Sequence, residues 1–195
     1  MALHRILLAT LAFATAGAAT AAERQPSWRD YPAVANSSFV EPSGDRAIQL
    51  SVLVPANPHQ IFDAFTTADG FRSWAVGMAK IDLRVGGMIE ASYDPKAALG
   101  DPENIKNQIL AYVPDRMLVI RNVQAPHSLR GREAFGRTVT VVELAPAGAA
   151  GTRVTLTNAG YGTDAQSQAA YRHFEWGDAY TLDELRKHFS AGAAR

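Results

Sequence analysis

The sequence predicts an α+β domain with one curved antiparallel sheet and one long C-terminal helix. Three observations carry this prediction: a strand pattern comes first, two short helices follow it, and a run of strands precedes a final helix. Strands that follow one another directly pair in antiparallel fashion, whereas a regular alternation of strands and helices would predict a parallel sheet.

The first strand and the two short helices differ in the period of their apolar residues. Over residues 48–54 apolar side chains occupy every second position, which is the period of a strand with one buried face. Pro58 suits the first turn of a helix, and the apolar residues of 61–65 recur at three- and four-residue spacing. Residues 68–74 predict a second short helix, which begins after a break at two threonines.

From Lys80 onward the period is two, and this predicts antiparallel strands joined by tight turns. Gly86-Gly87 and residues 114–116 are hairpin signals between apolar runs. The predicted strands of this run are residues 81–83, 88–93, 105–113, 117–123, 138–144 and 153–158.

The last predicted element is a long helix over residues 164–189. One face of it carries residues at helical spacing, which indicates the side that packs against the sheet. The residues of this stripe are Tyr171, Phe174, Asp178, Leu182, Leu185 and Phe189.

Residues 1–22 have the pattern of a secretory signal peptide. Arg5 supplies a basic start, residues 6–14 form an apolar run, and small residues lead to an Ala-x-Ala exit. The apolar run is shorter than the roughly 20 residues that a membrane span needs. We therefore expect export, to the periplasm or outside the cell, with cleavage near Ala21 or Ala22 and without a stable membrane anchor.

The remainder divides into an extension and a domain. Residues 23–45 are rich in proline, serine, asparagine and glycine, which predicts an N-terminal extension, and residues 46–191 form the predicted domain. The chain has no cysteine, so thiol catalysis and zinc–thiolate sites are excluded. The chain has 19 basic and 19 acidic residues, and the basic residues form no continuous stripe. We therefore expect no nucleic-acid partner.

Motifs for a metal, a cofactor or a nucleophile are missing from the sequence. There is no His-x-x-x-His pair, no phosphate-binding glycine loop and no Gly-x-Ser-x-Gly turn. We therefore expect no metal and no cofactor, and the sequence singles out no catalytic residue.

Three segments resemble the START-like superfamily, whose members are also called SRPBCC or helix-grip proteins. They are "VPANPHQIFDAFTTADGFRSWAV", "IDLRVGG" and "AYVPDRMLVI", and the similarity extends over about residues 47–189. Within the superfamily the chain is most similar to the homologues of the activator of heat-shock protein 90 ATPase. The resemblance implies a helix-grip fold, in which the curved sheet wraps around the C-terminal helix and encloses a cavity.

Members of this superfamily carry or transform lipids, polyketides and other apolar molecules, so the resemblance implies a small hydrophobic ligand. Strand and helix phase, together with the resemblance, select the candidate lining residues. They are Phe62, Phe71, Trp74, Met88, Glu90, Tyr112, Asn122, Tyr171, Phe174 and Asp178.

Several of these residues have a second interpretation. Phe71 and Trp74 either form the wall of the cavity or plug the end of a core. Glu90 faces either the cavity or water. Asp178 presents a carboxylate either to the ligand, with a pKa raised by burial, or to water at the mouth of the cavity.

Two other functions stay open at this point. An enzyme acting on a lipophilic substrate in the same cavity would need convergent ionisable groups such as Glu90 and Asp178. A protein-interaction module would use a sheet edge or the extension around Trp28 and Tyr31. Activation of the cytosolic chaperone is not expected, because the predicted export would separate the chain from that chaperone.

Overall fold

The computed structural model describes residues 26–129 and 131–192, so the predicted signal peptide lies outside the described residues. The helices are α1 (Pro58–Thr66), α2 (Ala68–Arg72), α3 (Arg132–Phe135) and α4 (Ala165–Gly192). Single turns of 3₁₀ helix cover Trp28–Asp30 and Gly148–Ala150. The strands are β1 (Ala35–Asn36), β2 (Phe39–Val40), β3 (Arg46–Val54), β4 (Met78–Ile81), β5 (Met88–Ser92), β6 (Ile105–Val113), β7 (Met117–Gln124), β8 (Val139–Pro146) and β9 (Thr152–Tyr161).

The described strands form one antiparallel sheet in the order β1-β3-β9-β8-β7-β6-β5-β4, with β2 also paired to β3. This arrangement, with a long C-terminal helix on a curved open sheet, confirms the predicted α+β helix-grip fold. The short helix α3 was not predicted. It has only four residues, and a glycine stands on either side of it, so its sequence carries no helical period.

One face of the sheet is buried, and we call it the inner face. Paired residues of an antiparallel sheet lie on the same face, so the register identifies it. Ile48 pairs with Asn158, which pairs with Thr140, which pairs with Ile120. Leu182 and Leu185 of α4 are fully buried in the core that includes Ile48, so α4 covers this face.

The start of α1 and the break before α2 follow from local hydrogen bonds. The Asn57 side chain accepts from the Gln60 amide, and the Gln60 side chain accepts from the Asn57 amide, which completes a capping box. Thr67 has extended backbone angles, so it ends α1, and its hydroxyl accepts from the Gly70 amide at the start of α2. This geometry explains the predicted break, and it turns α2 back towards β4.

The described part of the N-terminal extension, residues 26–45, packs on the domain. β1 and β2 both pair with β3, and the ring of Tyr31 meets that of Tyr180 in α4 edge-on at 6.1 Å. The Asn36 amide lies 3.5 Å from the Glu175 carboxylate of the same helix. Trp28 is half-buried and packs against the core. The extension therefore holds α4 from its outer side.

Replacing Gly151 by alanine is expected to lower the free energy of unfolding by about 2 kcal/mol. Gly151 has a φ of 104°, and an added Cβ would lie 2.1 Å from the Val54 carbonyl oxygen. Gly148 in the same turn has a φ of 62° with no atom within 4 Å of an added Cβ. The control Gly148→Ala should therefore cost only about 1 kcal/mol. Equal costs in urea unfolding would contradict this account of the turn.

Candidate functional site

The helix α4 covers the inner face unevenly. On β3 and β9 the inner-face residues are closed off, with Ile48 at 0% and Asn158 at 1% exposure. Further along the same row, Thr140 of β8 and Ile120 of β7 stay half-buried, although they lie on the covered face. The helix therefore covers β7 and β8 less completely than it covers β3 and β9.

Tyr93 lies beside this less covered part of the inner face. The residue follows β5 in the phase of the inner-face residue Ala91, and 75% of its surface is accessible. The pKa of its hydroxyl is raised, first by desolvation and then by Tyr180 and Asp178, so the hydroxyl lies near α4. We call this part of the inner face the recess and define it by Tyr93, Ile120, Thr140 and Asp178.

Asp178 reaches the recess from α4. It stands four residues before Leu182, so it shares the face of α4 that is turned towards the sheet. Its Oδ2 atom is buried and has no hydrogen-bond partner. Burial raises the pKa of this carboxyl from 3.8 to about 7, and the nearby Asn158 amide offsets part of the effect. No described lysine, arginine or histidine forms a salt bridge with it.

Two residues of β9 complete a polar cluster with Asp178. The Asn158 Oδ1 atom and the Tyr161 hydroxyl are buried, and like Asp178 Oδ2 they have no hydrogen-bond partner. Burial, followed by the Asp178 charge, raises the pKa of Tyr161 far above its ordinary value. A buried polar atom without a partner costs about 1–3 kcal/mol, so such atoms in a native protein mark a site for a ligand or a water molecule. We call Asn158, Tyr161 and Asp178 the polar cluster.

Two of the candidate aromatic residues, Tyr171 and Phe174, lie near this cluster. Tyr171 is buried beside Tyr161, with ring centroids 5.5 Å apart, and the Arg46 guanidinium lies 3.6 Å from the Tyr171 ring. Phe174 stacks on Phe135 of α3 at 4.0 Å and is only partly buried. Tyr171 therefore packs directly against Tyr161 of the cluster, and Phe174 packs against α3.

Phe62 and Tyr112 pack against each other on the inner side. Phe62 of α1 is 5% exposed and its ring centroid lies 6.5 Å from that of the half-buried Tyr112 in β6. Phe62 belongs to the apolar core and Tyr112 packs against it, so both rings take part in side-chain packing.

Phe71 and Trp74 join α1 to α2. The Trp74 Nε1 donates to the Ala64 carbonyl at 3.0 Å, and its ring meets Phe65 and Phe71 edge-on at 5.3 and 5.9 Å. Both candidates are half-buried against the core. The hydrogen bond and the ring contacts give Trp74 a structural role in fastening the two helices, which accounts for the aromatic pair beside the turn.

Met88 and Glu90 lie on the outer face. Their neighbour Ile89 pairs with Asn107 and is 3% exposed, so the residues before and after it point the other way. Burial alone would raise the pKa of Glu90, but hydrogen bonds from Asn104 and Gly100 lower it below its ordinary value. The interpretation of Glu90 as a cavity residue is therefore wrong. The Glu90 carboxylate also does not lie beside that of Asp178, as an enzyme with two catalytic carboxylates would require.

Asn122 lies on the inner face, but its amide serves the backbone. The Nδ2 atom donates to the Lys106 and Gln124 carbonyls at 3.2 and 2.9 Å, and to Asn107 Oδ1 at 3.0 Å. It thereby supports the ladder where a bulge interrupts the β6–β7 register. This role is structural and does not require a ligand.

Two open clefts of the described surface lie away from the polar cluster. The first has a volume of about 760 Å³ and includes His59, whose Nδ1 lies 3.0 Å from Asp115 Oδ1. The second, of about 700 Å³, lies where β7 separates from β8 and includes Arg121 and Arg132. Neither cleft is lined by Asn158, Tyr161 or Asp178.

Over residues 26–129 and 131–192 no group of three or more histidine, aspartate or glutamate side chains is arranged to hold a metal ion. In the same part of the chain no helix has the length and apolar character to cross a bilayer.

Sequence reasoning selected Asp178 but missed Asn158, Tyr161 and Thr140. A usable signal was present for Asn158, because it continues the inward phase of Val154 and Leu156 and is polar where they are apolar. A polar residue in an apolar phase is the kind of exception that marks a site. Tyr161 follows a bulge in the β3–β9 register, so its phase was not readable.

Comparison with known proteins adds a family model and a set of solved structures. The family described as "Activator of Hsp90 ATPase homolog 1-like protein" matches residues 55–190. No curated protein matches the sequence.

Three solved structures have a similar fold. The protein MLL2253 from Mesorhizobium loti is 18% identical over 75% of this chain and 98% of its own, with a TM-score of 0.59. The Aha1 dimer from Colwellia psychrerythraea is 19% identical over 75% and 97%, with a TM-score of 0.58. CalU16 from Micromonospora echinospora is 22% identical over 84% and 90%, with a TM-score of 0.54. At these identities the similarity shows a common fold.

Proposed function

Because the chain belongs to the family of activator of Hsp90 ATPase homolog 1-like proteins, whose fold commonly binds hydrophobic ligands, we propose that it is an exported ligand-binding protein. Its ligand is a small, mostly apolar molecule of lipid or polyketide type, held in the recess between the inner face and α4. The observation that carries the proposal is the polar cluster, whose three buried oxygens lack hydrogen-bond partners.

The surroundings of the cluster fit a ligand that is mostly apolar with one polar end. Ile120 lies on the recess, and Phe174 is a partly buried neighbour on α4. Burying apolar surface contributes about 25 cal/mol per Å², so a hydrocarbon body would supply most of the binding free energy. Partners for the three oxygens would orient the polar end, as a few placed polar groups do in ligand sites.

Export is the second part of the proposal, and it rests on the signal-peptide pattern of residues 1–22. An exported chain would not meet a cytosolic ATP-dependent chaperone. We therefore favour carriage of a small molecule over chaperone activation, which the family description mentions.

Native mass spectrometry of the protein purified from the cells that produce it tests the ligand. We expect a population heavier than the polypeptide, with the added mass released by organic extraction in near-stoichiometric amount. A bare polypeptide mass, together with no rise in melting temperature on adding lipids or polyketides, would contradict the proposal.

A matched pair of variants tests where the ligand is held. Thr140 and Val141 are neighbours on β8 with similar exposure, but they point to opposite faces of the sheet. We expect Thr140→Phe to fill the recess and to lose the added mass, and Val141→Phe to retain it. Circular dichroism checks that both variants are folded. If both folded variants lose the added mass, or if neither loses it, the ligand is held elsewhere.

A further inference from the structure

We propose that the polar cluster binds the ammonium group of an apolar primary amine, so that the ligand is a cationic amphiphile. The inference rests on the proposed function and narrows it to a chemical class. It starts from the type of atom left without a partner, namely the Asn158 amide oxygen, the Tyr161 hydroxyl oxygen and one Asp178 carboxylate oxygen.

All three atoms accept hydrogen bonds. When Asp178 is ionised, its carboxylate oxygen and the Asn158 amide oxygen cannot donate one. An amide oxygen and a carboxylate oxygen have only lone pairs, whereas a tyrosine hydroxyl both donates and accepts. Asn158 affects the pKa of both Asp178 and Tyr161, so the three side chains lie close together. An alkylammonium carries three N–H groups on one atom, which is one donor for each of the three oxygens. A hydroxyl supplies one donor and a carboxylate supplies none.

The charges around the cluster also favour a cationic ligand. No salt bridge reaches Asp178 within the described residues, and the guanidinium of Arg46 is already placed over the Tyr171 ring and bonded to Gln168. A buried carboxylate without a counter-ion is costly, and an opposite charge within hydrogen-bond distance removes much of that cost. Desolvation by burial raises the pKa of Asp178, and no basic side chain offsets that effect.

The titratable groups that interact with Asp178 from other elements include Tyr161 on β9 and Tyr93 after β5. On α4, Glu175 lies one turn before Asp178 and faces Asn36 of the extension. The pKa values of Tyr161 and Tyr93 are raised above the ordinary tyrosine value, so neither side chain ionises between pH 5 and 8. Burial lowers the pKa of His173 on α4, and His173 does not contribute to the pKa shift of Asp178. Any pH dependence of amine binding that Asp178→Asn abolishes therefore belongs to Asp178.

Isothermal titration calorimetry with three ten-carbon probes tests the inference. Decylamine, decanol and decanoate share one tail and differ only in the polar end, and all are used below the concentration at which they form micelles. At pH 8 we expect decylamine to bind about tenfold more tightly than decanol, and decanoate to bind most weakly. At pH 5.5, where Asp178 is protonated, the preference for the amine should fall to about twofold or less.

Two variants connect the preference to the cluster. Asp178→Asn keeps the size of the side chain and removes the charge, so decylamine and decanol should bind equally at both pH values. Tyr161→Phe removes only the hydroxyl and should weaken decylamine by about threefold to tenfold, with the pH dependence retained.

The possible outcomes separate this inference from the proposed function. If decanol and decylamine bind equally to the unmodified protein at pH 8, a ligand site exists but the inference is wrong. If the amine preference persists in Asp178→Asn, the cluster is not its source and the inference is again wrong. If none of the probes and no extracted molecule binds, the proposed function itself fails.

Discussion

Replacing Asp178 by asparagine is expected to stabilise the ligand-free protein by about 2–4 kcal/mol at pH 8 and hardly at all near pH 4. The reason is that Asp178 carries a charge in a buried position without a counter-ion. The larger figure follows from a pKa raised from 3.8 to about 7, and the smaller one allows for the accessible edge of the side chain.

The sign follows from proton binding. Between the unfolded pKa of 3.8 and the folded pKa of about 7, the folded state holds a proton on Asp178 that the unfolded state has released. The free energy of unfolding of the unmodified protein therefore falls as the pH rises through this window, and it stays low above it. Urea unfolding of both proteins at several pH values, compared as a difference, isolates the contribution of Asp178.

Asp183 provides a control of opposite sign on the same helix. It is also buried, but it is paired with Arg186 at 2.9 Å and Lys187 at 2.9 Å. Burial raises the pKa of Asp183, but Lys187 and Arg186 together lower it by more, so the net shift is downward. Asp183→Asn should therefore destabilise the protein at pH 8 and lose this effect in acid. If Asp178→Asn behaved like Asp183→Asn, Asp178 would have a partner or would lie in water.

Replacing Leu50 by alanine is expected to lower the free energy of unfolding by about 2–5 kcal/mol, the range for a large core residue. Leu50 is fully buried on the inner face of β3. Leu53 belongs to the same strand but lies on the outer face with 37% exposure, so Leu53→Ala should cost about 1 kcal/mol or less. Thermal or urea unfolding measures both.

This pair tests the assignment of the inner face, on which the position of the recess depends. The two substitutions remove the same atoms from one strand, so strand propensity and side-chain chemistry are matched. Similar costs at Leu50 and Leu53, or a larger cost at Leu53, would mean that the sheet is packed on both faces or on the other one.

The element order was predictable because its signals are local. Alternation over residues 48–54 and the helical spacing after Pro58 each depend on neighbours within one turn or one strand, and both elements are present. The predicted final helix over 164–189 is observed as Ala165–Gly192, and Asp164 accepts from the Gln166 and Ser167 amides at its start. The predicted start agrees to within one residue, and the helix continues for three residues beyond the predicted end.

The face of β5 was not predictable in the same way. Met88, Ile89, Glu90 and Ala91 place an apolar residue in both phases of the strand, so the sequence pattern does not select one. Pairing of Ile89 with Asn107 decides the matter, and that pairing is a tertiary fact. A one-residue shift exchanges the two faces of a strand, which is why Met88 and Glu90 were misplaced.

The candidate site was partly predictable for a related reason. Helical spacing alone places Asp178 on the face of Leu182 and Leu185, so a carboxylate facing the sheet could be expected. Its neighbours Asn158 and Tyr161 come from β9, and the partial cover of Thr140 by α4 depends on the whole sheet. Such features need the packing of distant segments, which the sequence pattern does not contain.

The most direct test of the central claim is a methyl ¹H–¹³C NMR titration that locates the ligand. Decylamine or decanol, whichever binds more tightly, is added to the protein with assigned isoleucine, leucine, threonine and alanine methyl groups. We predict the largest shifts at Ile120 and Thr140 on the recess, and none at Leu53 on the outer face. The largest shifts at Leu144 and Ala145, in the cleft beside His59, or no shifts at all, would contradict a ligand site between the sheet and α4.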